Sequence, residues 1–353
     1  MTIFQKTEHD IVVGVDVDKK HFVFTVREQG VNIMHKTLVS NPATLHNYIK
    51  KSFPSKRPIY VYEAGPTGFG LYDYLTSLTV PCRVISTLSM PVAKNETVKN
   101  NRIDSRKLAE YLELGKLKTI RVPVNEYREL RHLTKVRELY VSHRTKAKQR
   151  IKGLLLYTSL NNPILDDMTH WSTGYIKSLR DIPTTSAVRF RLNGLLDDLD
   201  YARKNIITVH RELKTFCKKY PNINRNITYL MSIPGIGFII AVTILGKIGD
   251  PALLKNPREL AAFLGLSQWE ESTGDTENRG SITHLGNKVL RRLLTEAAWS
   301  AIRKDTRLNQ FYRRIKNRNN PKYASRIAIV AVARKMTQII YRVLKDQRCY
   351  VNY

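Results

Sequence analysis

The chain has 353 residues and carries 59 Lys and Arg against 30 Asp and Glu, a formal charge of +29 at pH 7. Solubility does not require such an excess, which points to a polyanionic partner bound in a salt-dependent way. No apolar run of ~18 residues stands ready to cross a membrane, no signal peptide with an apolar core is evident, and Cys82, Cys217 and Cys349 lack the spacing of a disulfide or zinc scaffold. A cytoplasmic, nucleoid-associated protein without a membrane partner is therefore expected.

The first part reads as α/β. Ile11–Val17 and His21–Val26 are β-type runs joined by Asp18-Lys19-Lys20, a hairpin pattern, and Val31–Leu38 reads as a third strand. Thr44–Phe53 looks helical, Pro58–Tyr62 extended, Gly68–Leu78 helical, Val80–Ile85 extended, and Ile103–Leu114 helical up to Gly115. Hairpin strands followed by alternating helices and strands predict a mixed sheet with helices packed on it.

From Glu126 the pattern turns helical, with Leu130, Leu133, Val136 and Tyr140 on one face. The same helix continues into Arg144, Lys146, Lys148, Arg150 and Lys152 with no acid between Val141 and Leu155, a stretch suited to tracking phosphates. Residues 160–186 read as irregular. Val188, Leu192, Leu195, Leu199, Ala202, Ile206, Val209, Leu213 and Phe216 then alternate steps of four and three. That narrow seam favours a coiled coil between copies over packing within the chain. Beyond Ile223 the chain is helical with turn-rich breaks, and Arg303–Arg348 holds 14 Lys or Arg against Asp305 and Asp346. Because Ala324–Leu344 is amphipathic, this stretch reads as a basic folded surface.

Three constellations can carry chemistry. Asp16 sits at the end of the first strand, where a carboxylate is costly unless paired or bound to a metal. A turn Asp before Lys19-Lys20 is the competing reading, and the segment alone leaves both open. Glu63 follows the strand ending at Tyr62, and Asp104 lies near the start of a helix. Strand ends and a helix start can gather such acids around one or two Mg²⁺ ions at a scissile phosphate, as in ribonuclease-H-like nuclease cores.

The second constellation is Ile233-Pro234-Gly235-Ile236-Gly237 followed by Ala241. It is either a helix-hairpin-helix-like turn, with Gly235 and Gly237 admitting a DNA phosphate, or a bend between packed helices. The third runs from Trp269 through Ser272, Thr273 and Gly274 to Arg279, then into a helix with Lys288, Arg291 and Arg292. A polar loop with a capping serine is the plain reading; a serine nucleophile served by those cations is the other.

Taken in order, GVDVDK, YEAGPTG, VKNNRIDSRKLAEYL, SIPGIG, LAAFLGL, EESTG and RGSITHLGNKVLRRLL resemble the DEDD transposases of bacterial insertion sequences. The likeness is to the IS110 family, and to its IS1111 branch in particular. It implies a ribonuclease-H-like (RuvC-like) domain over 1–159 with a basic helical extension and a coiled-coil oligomerisation region over 160–222. A mainly α-helical transposase domain with the helix-hairpin-helix-like segment then spans 223–353. It also implies an RNA-guided recombinase that excises and inserts its element, with donor DNA, target DNA and an element-encoded guide RNA as partners and a dimer or tetramer as the working form.

Carried over residue by residue, Asp16, Glu63 and Asp104 match the family's acids, and Ser272 matches the serine that forms a phosphoserine link to DNA, with Thr273 one position away. The remaining acid, three residues before the last, is here Asn101. An Asn oxygen can ligate Mg²⁺ but brings no charge, so metal binding should weaken, whether the Asn is natural or engineered. Metal site and serine fall in different domains, so a composite site could draw on different protomers. The rivals are a junction endonuclease that activates water, with Ser272 structural, and a nucleic-acid-binding protein with no catalysis.

Overall fold

The computed structural model describes residues 9–86, 101–160, 171–273, 276–283 and 285–351, with side chains omitted at 101–102, 270–273 and 276–279. The chain gathers into two compact units, Met1–Val122 and Pro123–Tyr353. The boundary expected near 159 falls just past the end of a long helix of the second unit, and the one near 222 falls inside the first turn of another.

Unit 1 is built on a six-stranded mixed sheet of β1 (Ile11–Val17), β2 (His21–Glu28), β3 (Val31–Val39), β4 (Pro58–Glu63), β5 (Cys82–Ile85) and β6 (Thr119–Ile120), in the order β3-β2-β1-β4-β5-β6. β1 pairs antiparallel with β2 and parallel with β4, and β4 pairs parallel with β5. Alternation along β1 sorts its side chains to two faces. Ile11, Val13 and Val15 pack with Leu45 and Ile49 of α1 (Pro42–Ser52) and with Leu71 and Leu75 of α2 (Gly70–Ser77). Val12, with Ile59 and Val61 of β4, meets Leu108, Ala109 and Leu112 of α3 (Asn101–Glu113) on the other face. Burial of each such side chain contributes about 1.5–3 kcal/mol.

Gly14 lets α3 approach so closely: a Cβ there would lie 2.3 Å from the Ser105 carbonyl oxygen and 2.5 Å from the Ala109 nitrogen. Around this contact the Ser105 and Thr25 hydroxyls hydrogen-bond at 3.0 Å, and Thr25 also bonds the His35 Nδ1 at 3.1 Å.

Unit 2 is mainly helical. Its frame is α4 (Asn125–Tyr157) lying antiparallel to α6 (Ser186–Lys219), with α5 (Thr173–Asp181) beside them. Ala147, Ile151, Leu154 and Leu155 of α4 pack with Leu192, Leu196 and Leu199 of α6, whereas Tyr127 and Leu130 share a core with Val209, Leu213 and Cys217. The seam expected to join two copies is therefore buried inside the chain. The stripe is covered, but α4 of the same chain covers it, which corrects the expectation of a seam between copies.

The remaining helices are α7 (Pro221–Met231), α8 (Phe238–Ile248), α9 (Pro257–Phe263), α10 (Lys288–Lys304), α11 (Thr306–Asn317) and α12 (Pro321–Lys345). They extend the core that holds Tyr127 and Leu130 to Leu245, Leu294, Val332 and Met336. Arg131 of α4 closes the C-terminus of α8, donating from Nε to the Gly246 carbonyl and from Nη2 to that of Lys247, both at 2.9 Å. Between α9 and α10, β7 (Gln268–Thr273) and β8 (Thr276–Ile282) form an antiparallel hairpin where a loop was expected. The segment 173–181, read as irregular, is helical and capped by the Ser172 hydroxyl.

Candidate active site and nucleic-acid interface

The register of unit 1 brings the three acids to one end of one face. Val15 pairs with Tyr62, so Asp16 and Glu63 are the next residues on neighbouring parallel strands. By alternation Asp16 belongs with Val12 and Gly14, and Glu63 with Ile59 and Val61, on the face that α3 covers.

The direction of α3 follows from two bonds. Arg27, opposite Val12, donates from Nε to Glu113 at 2.6 Å near the C-terminal end of α3. Thr25, opposite Gly14, bonds Ser105 near its start. The helix thus runs antiparallel to β1, and its first turn, with Asp104, lies towards the Asp16 end. Asp16, Glu63 and Asp104 are all half-buried. Asn101 opens α3, and its side chain lies outside the described residues.

The topology collects these oxygen donors without closing them: among the described residues, no group of three or more His, Cys, Asp or Glu could hold a metal ion as it stands. The donor chemistry, three carboxylates and one amide oxygen, suits a hard divalent cation. Gly14, Thr25 and Ser105, which set where the first turn of α3 rests, escaped the sequence reading. A glycine amid β-branched neighbours was the available signal for a close backbone approach.

In unit 2, Ser272 lies on β7 opposite Glu277, and Thr273 opposite Thr276. Gly274 and Asp275 lie outside the described residues, as do the side chains of Ser272, Thr273 and Arg279. The foot of the hairpin is firmly tied. Gln268 accepts from Arg334 Nη1 of α12 at 2.9 Å, and the Thr283 amide donates to the Ser267 carbonyl at 2.9 Å. Arg291 Nη1 donates to the carbonyls of Gly265, Thr283 and Leu285 at 3.0, 3.3 and 3.4 Å. Arg291, expected to face nucleic acid, is thus engaged in holding the loop. Arg292 pairs with Glu296 at 2.9 Å on an exposed helix face, and Lys288 is exposed in the first turn of α10.

Gly235 resolves towards packing. Its φ is +86°, and a Cβ would meet the Ala297 carbonyl oxygen at 2.3 Å, so α10 occupies the space a phosphate would need. Gly237 is exposed at the start of α8 with nothing within 4 Å of its Cβ position. On α4, Lys146, Arg150 and Lys152 are exposed and Arg144 half-buried. Lys148 is half-buried with Nζ 5.2 Å from the Trp171 ring centre; burial, then Arg144, Arg203 and Lys152, lower its proton affinity.

Known proteins match this organisation in order. Residues 13–159 fit a family model described as Transposase, of the DEDD IS110 type, and residues 227–313 fit one described as Transposase IS116/IS110/IS902 family. The chain belongs to this transposase family.

Among its relatives is the transposase for insertion sequence element IS1111A of Coxiella burnetii, 25% identical over 99% of this chain and 95% of that one. The transposase for insertion sequence element IS1533 of Leptospira borgpetersenii is 23% identical over 82% of this chain and 84% of its own length. The pilin gene-inverting protein of Moraxella bovis is 25% identical over 43% of this chain and 47% of its own. As an IS110-family transposase the protein is a DNA recombinase with DNA as substrate, and its DEDD domain implies use of a divalent metal. No helix among the described residues is long and apolar enough to cross a membrane.

Proposed function

We propose that the protein is an RNA-guided DNA recombinase of cytoplasmic, nucleoid-associated action that moves its own element through a serine–DNA intermediate. The observation that carries the reading is the placement of Asp16, Glu63 and the first turn of α3 at one end of one face, inside the segment that fits the DEDD model. That domain takes the RuvC-like nuclease role, and the α4–α6 pair takes the coiled-coil role.

Asp16, Glu63 and Asp104, with the Asn101 oxygen, would hold one or two Mg²⁺ ions, which supply Lewis acidity at a phosphodiester when bound. The Ser272 hydroxyl attacks phosphorus, losing its proton as the P–O bond to the 3′ oxygen breaks, and that oxygen leaves protonated as a 3′-OH. The DNA 5′ phosphate stays on the serine until a 3′-OH from another strand attacks it and restores the hydroxyl. Arg279, Lys288 and Arg292 offset charge on the phosphorane, while Arg291 positions the loop. Gly237, the α4 basic stretch and 303–348 carry donor DNA, target DNA and guide RNA backbone. A dimer or tetramer would form through surfaces other than the α6 seam.

The test is denaturing gel analysis of reactions on end-labelled DNA with copurified RNA. A covalent protein–DNA adduct should form in wild-type protein and in Thr273→Ala and vanish in Ser272→Ala. Cleavage without adduct would assign the strand break to water and refute the serine role. An RNA encoded beside the gene in the purified protein supports guidance, and its absence from active protein refutes it.

A further inference from the structure

Arg137 of α4 and His210 of α6, which have no role above, bear on one another's charge, and Arg144 and Arg292, placed above along the nucleic-acid path, bear on that of Arg137. Arg137 of α4 is half-buried, and its Nε is out of contact with solvent yet has no hydrogen-bond partner among the described residues. Arg144 lies seven residues on, two turns along the same face of α4. Burial lowers the proton affinity of Arg137 most, and the charges of Arg144 and Arg292 lower it further. Glu138 is the acid beside it, acts in the opposite sense most weakly, and stands 3.8 Å from Lys247. Arg292 has Glu296 as its exposed partner.

His210 of α6 completes the group. Its ring is stacked on Phe238 of α8 at 5.4 Å with 8° between the planes, and its Nε2 is likewise buried without a partner. Lys214, one turn on, and Arg137 both bear on its charge. Burying a guanidinium N–H unpaired, beside two like charges, costs free energy. An anion drawn to Arg137 and His210 would offset the like charges gathered there.

We infer that Arg137 and His210, with Arg144 and Arg292 acting on Arg137, form a phosphodiester site beside the stack of His210 on Phe238. The bound group is a backbone phosphate of nucleic acid, DNA or RNA. The inference rests on the reading of the chain as a nucleic-acid-processing recombinase, but not on Ser272 or on the metal.

Full-length protein in EDTA is titrated with short random-sequence duplex DNA and, separately, with single-stranded RNA of the same length, over a range of salt. Arg137→Gln should weaken binding of at least one polymer about tenfold and reduce its salt slope by about one. The polymer that responds identifies the source of the phosphate. Free Arg137→Gln should melt at or above the wild-type temperature, since an uncompensated charge has been removed, while gaining less stability from the responding polymer. His210→Gln, which keeps a donor without a charge, should lose less affinity than His210→Leu. Unchanged affinity and slope for both polymers in Arg137→Gln and in His210→Leu would overturn the site. Should Arg137→Gln not fold, the same titration on His210→Leu decides. Cleavage and adduct formation are read separately with Mg²⁺ present, so failure of this site is distinguishable from failure of the serine reading.

Discussion

Gly14→Ala tests whether the sheet sets the position of the third acid. The added methyl would lie 2.3 Å from the Ser105 carbonyl oxygen, 2.5 Å from the Ala109 nitrogen and 3.0 Å from the Ala109 Cβ. Favourable carbon contacts begin near ~3.5 Å, so α3 must retreat by about 1 Å. Two of the obstacles are backbone, which cannot rotate away, and the cost falls at the upper end of overpacking, about 3 kcal/mol. For a unit of this size that lowers the melting temperature by about 10 °C. Asp104 adjoins Ser105 and should move with it, and a displacement of about 1 Å at a reacting centre costs on the order of 10²-fold in rate. Thermal melts and metal-dependent cleavage, each beside Gly153→Ala, whose Cβ meets open space, give the comparison. If Gly14→Ala melts within about 1 °C of wild type and cleaves at the same rate, α3 is not clamped as described.

Gly235→Ala should cost more than about 2 kcal/mol, because it combines left-handed backbone with a collision at Ala297. Gly237→Ala should leave stability within about 0.5 kcal/mol and show its effect, if Gly237 meets backbone phosphate, in DNA titrations. Asn101→Asp should lower the Mg²⁺ concentration for half-maximal cleavage about tenfold by adding a charge to the donor set, and an unchanged metal titration would sink that expectation. His46 is buried against the Tyr60 hydroxyl at 3.0 Å, and burial, then Lys50, lowers its proton affinity below the ordinary value of 6.5. The unfolded chain therefore binds the proton more readily: stability should be full above about pH 6.5 and fall as pH drops towards the folded-state value. Melting curves across this range should flatten in His46→Gln.

The strands of unit 1 were legible because alternation of Val, Ile and Phe along β1 and β2 reports two faces directly. Helices α1 and α3 were placed within two residues, since each shows a repeat bounded by turn residues. The seam on α6 was legible as a stripe but not as a pairing: periodicity says that a face is covered, and only distant contacts with Ile151 and Leu130 say by what. Hairpin β7–β8 was missed because QWEEST and TENRGSI lack alternating apolar residues, so its order comes from Arg334, Thr283 and Arg291 at its foot. Arg291 and Gly235 show the same limit at the site. Residue type suggested phosphate contact, whereas three carbonyls and the α10 backbone claim them. For the acids, strand register sets Asp16 beside Glu63, which order along the chain alone could not, and the approach of α3 at Gly14 brings the first turn with Asp104 towards that end.

The parallel pairing of β1 with β4 also bears on how the protein is synthesised. The β1–β2–β3 meander is complete once Val39 has emerged from the ribosome, but the other edge of β1 waits for Pro58–Glu63, and the face carrying Asp16 stays bare until α3 follows. A nascent or truncated chain that stops before residue 101 can form much of the sheet and still lack Asp104 and the helix that brings it. Ser272 comes later still, in the other unit. Under the proposed mechanism a fragment would thus be inert, because the acids and the serine are all present only once more than three quarters of the chain has been made.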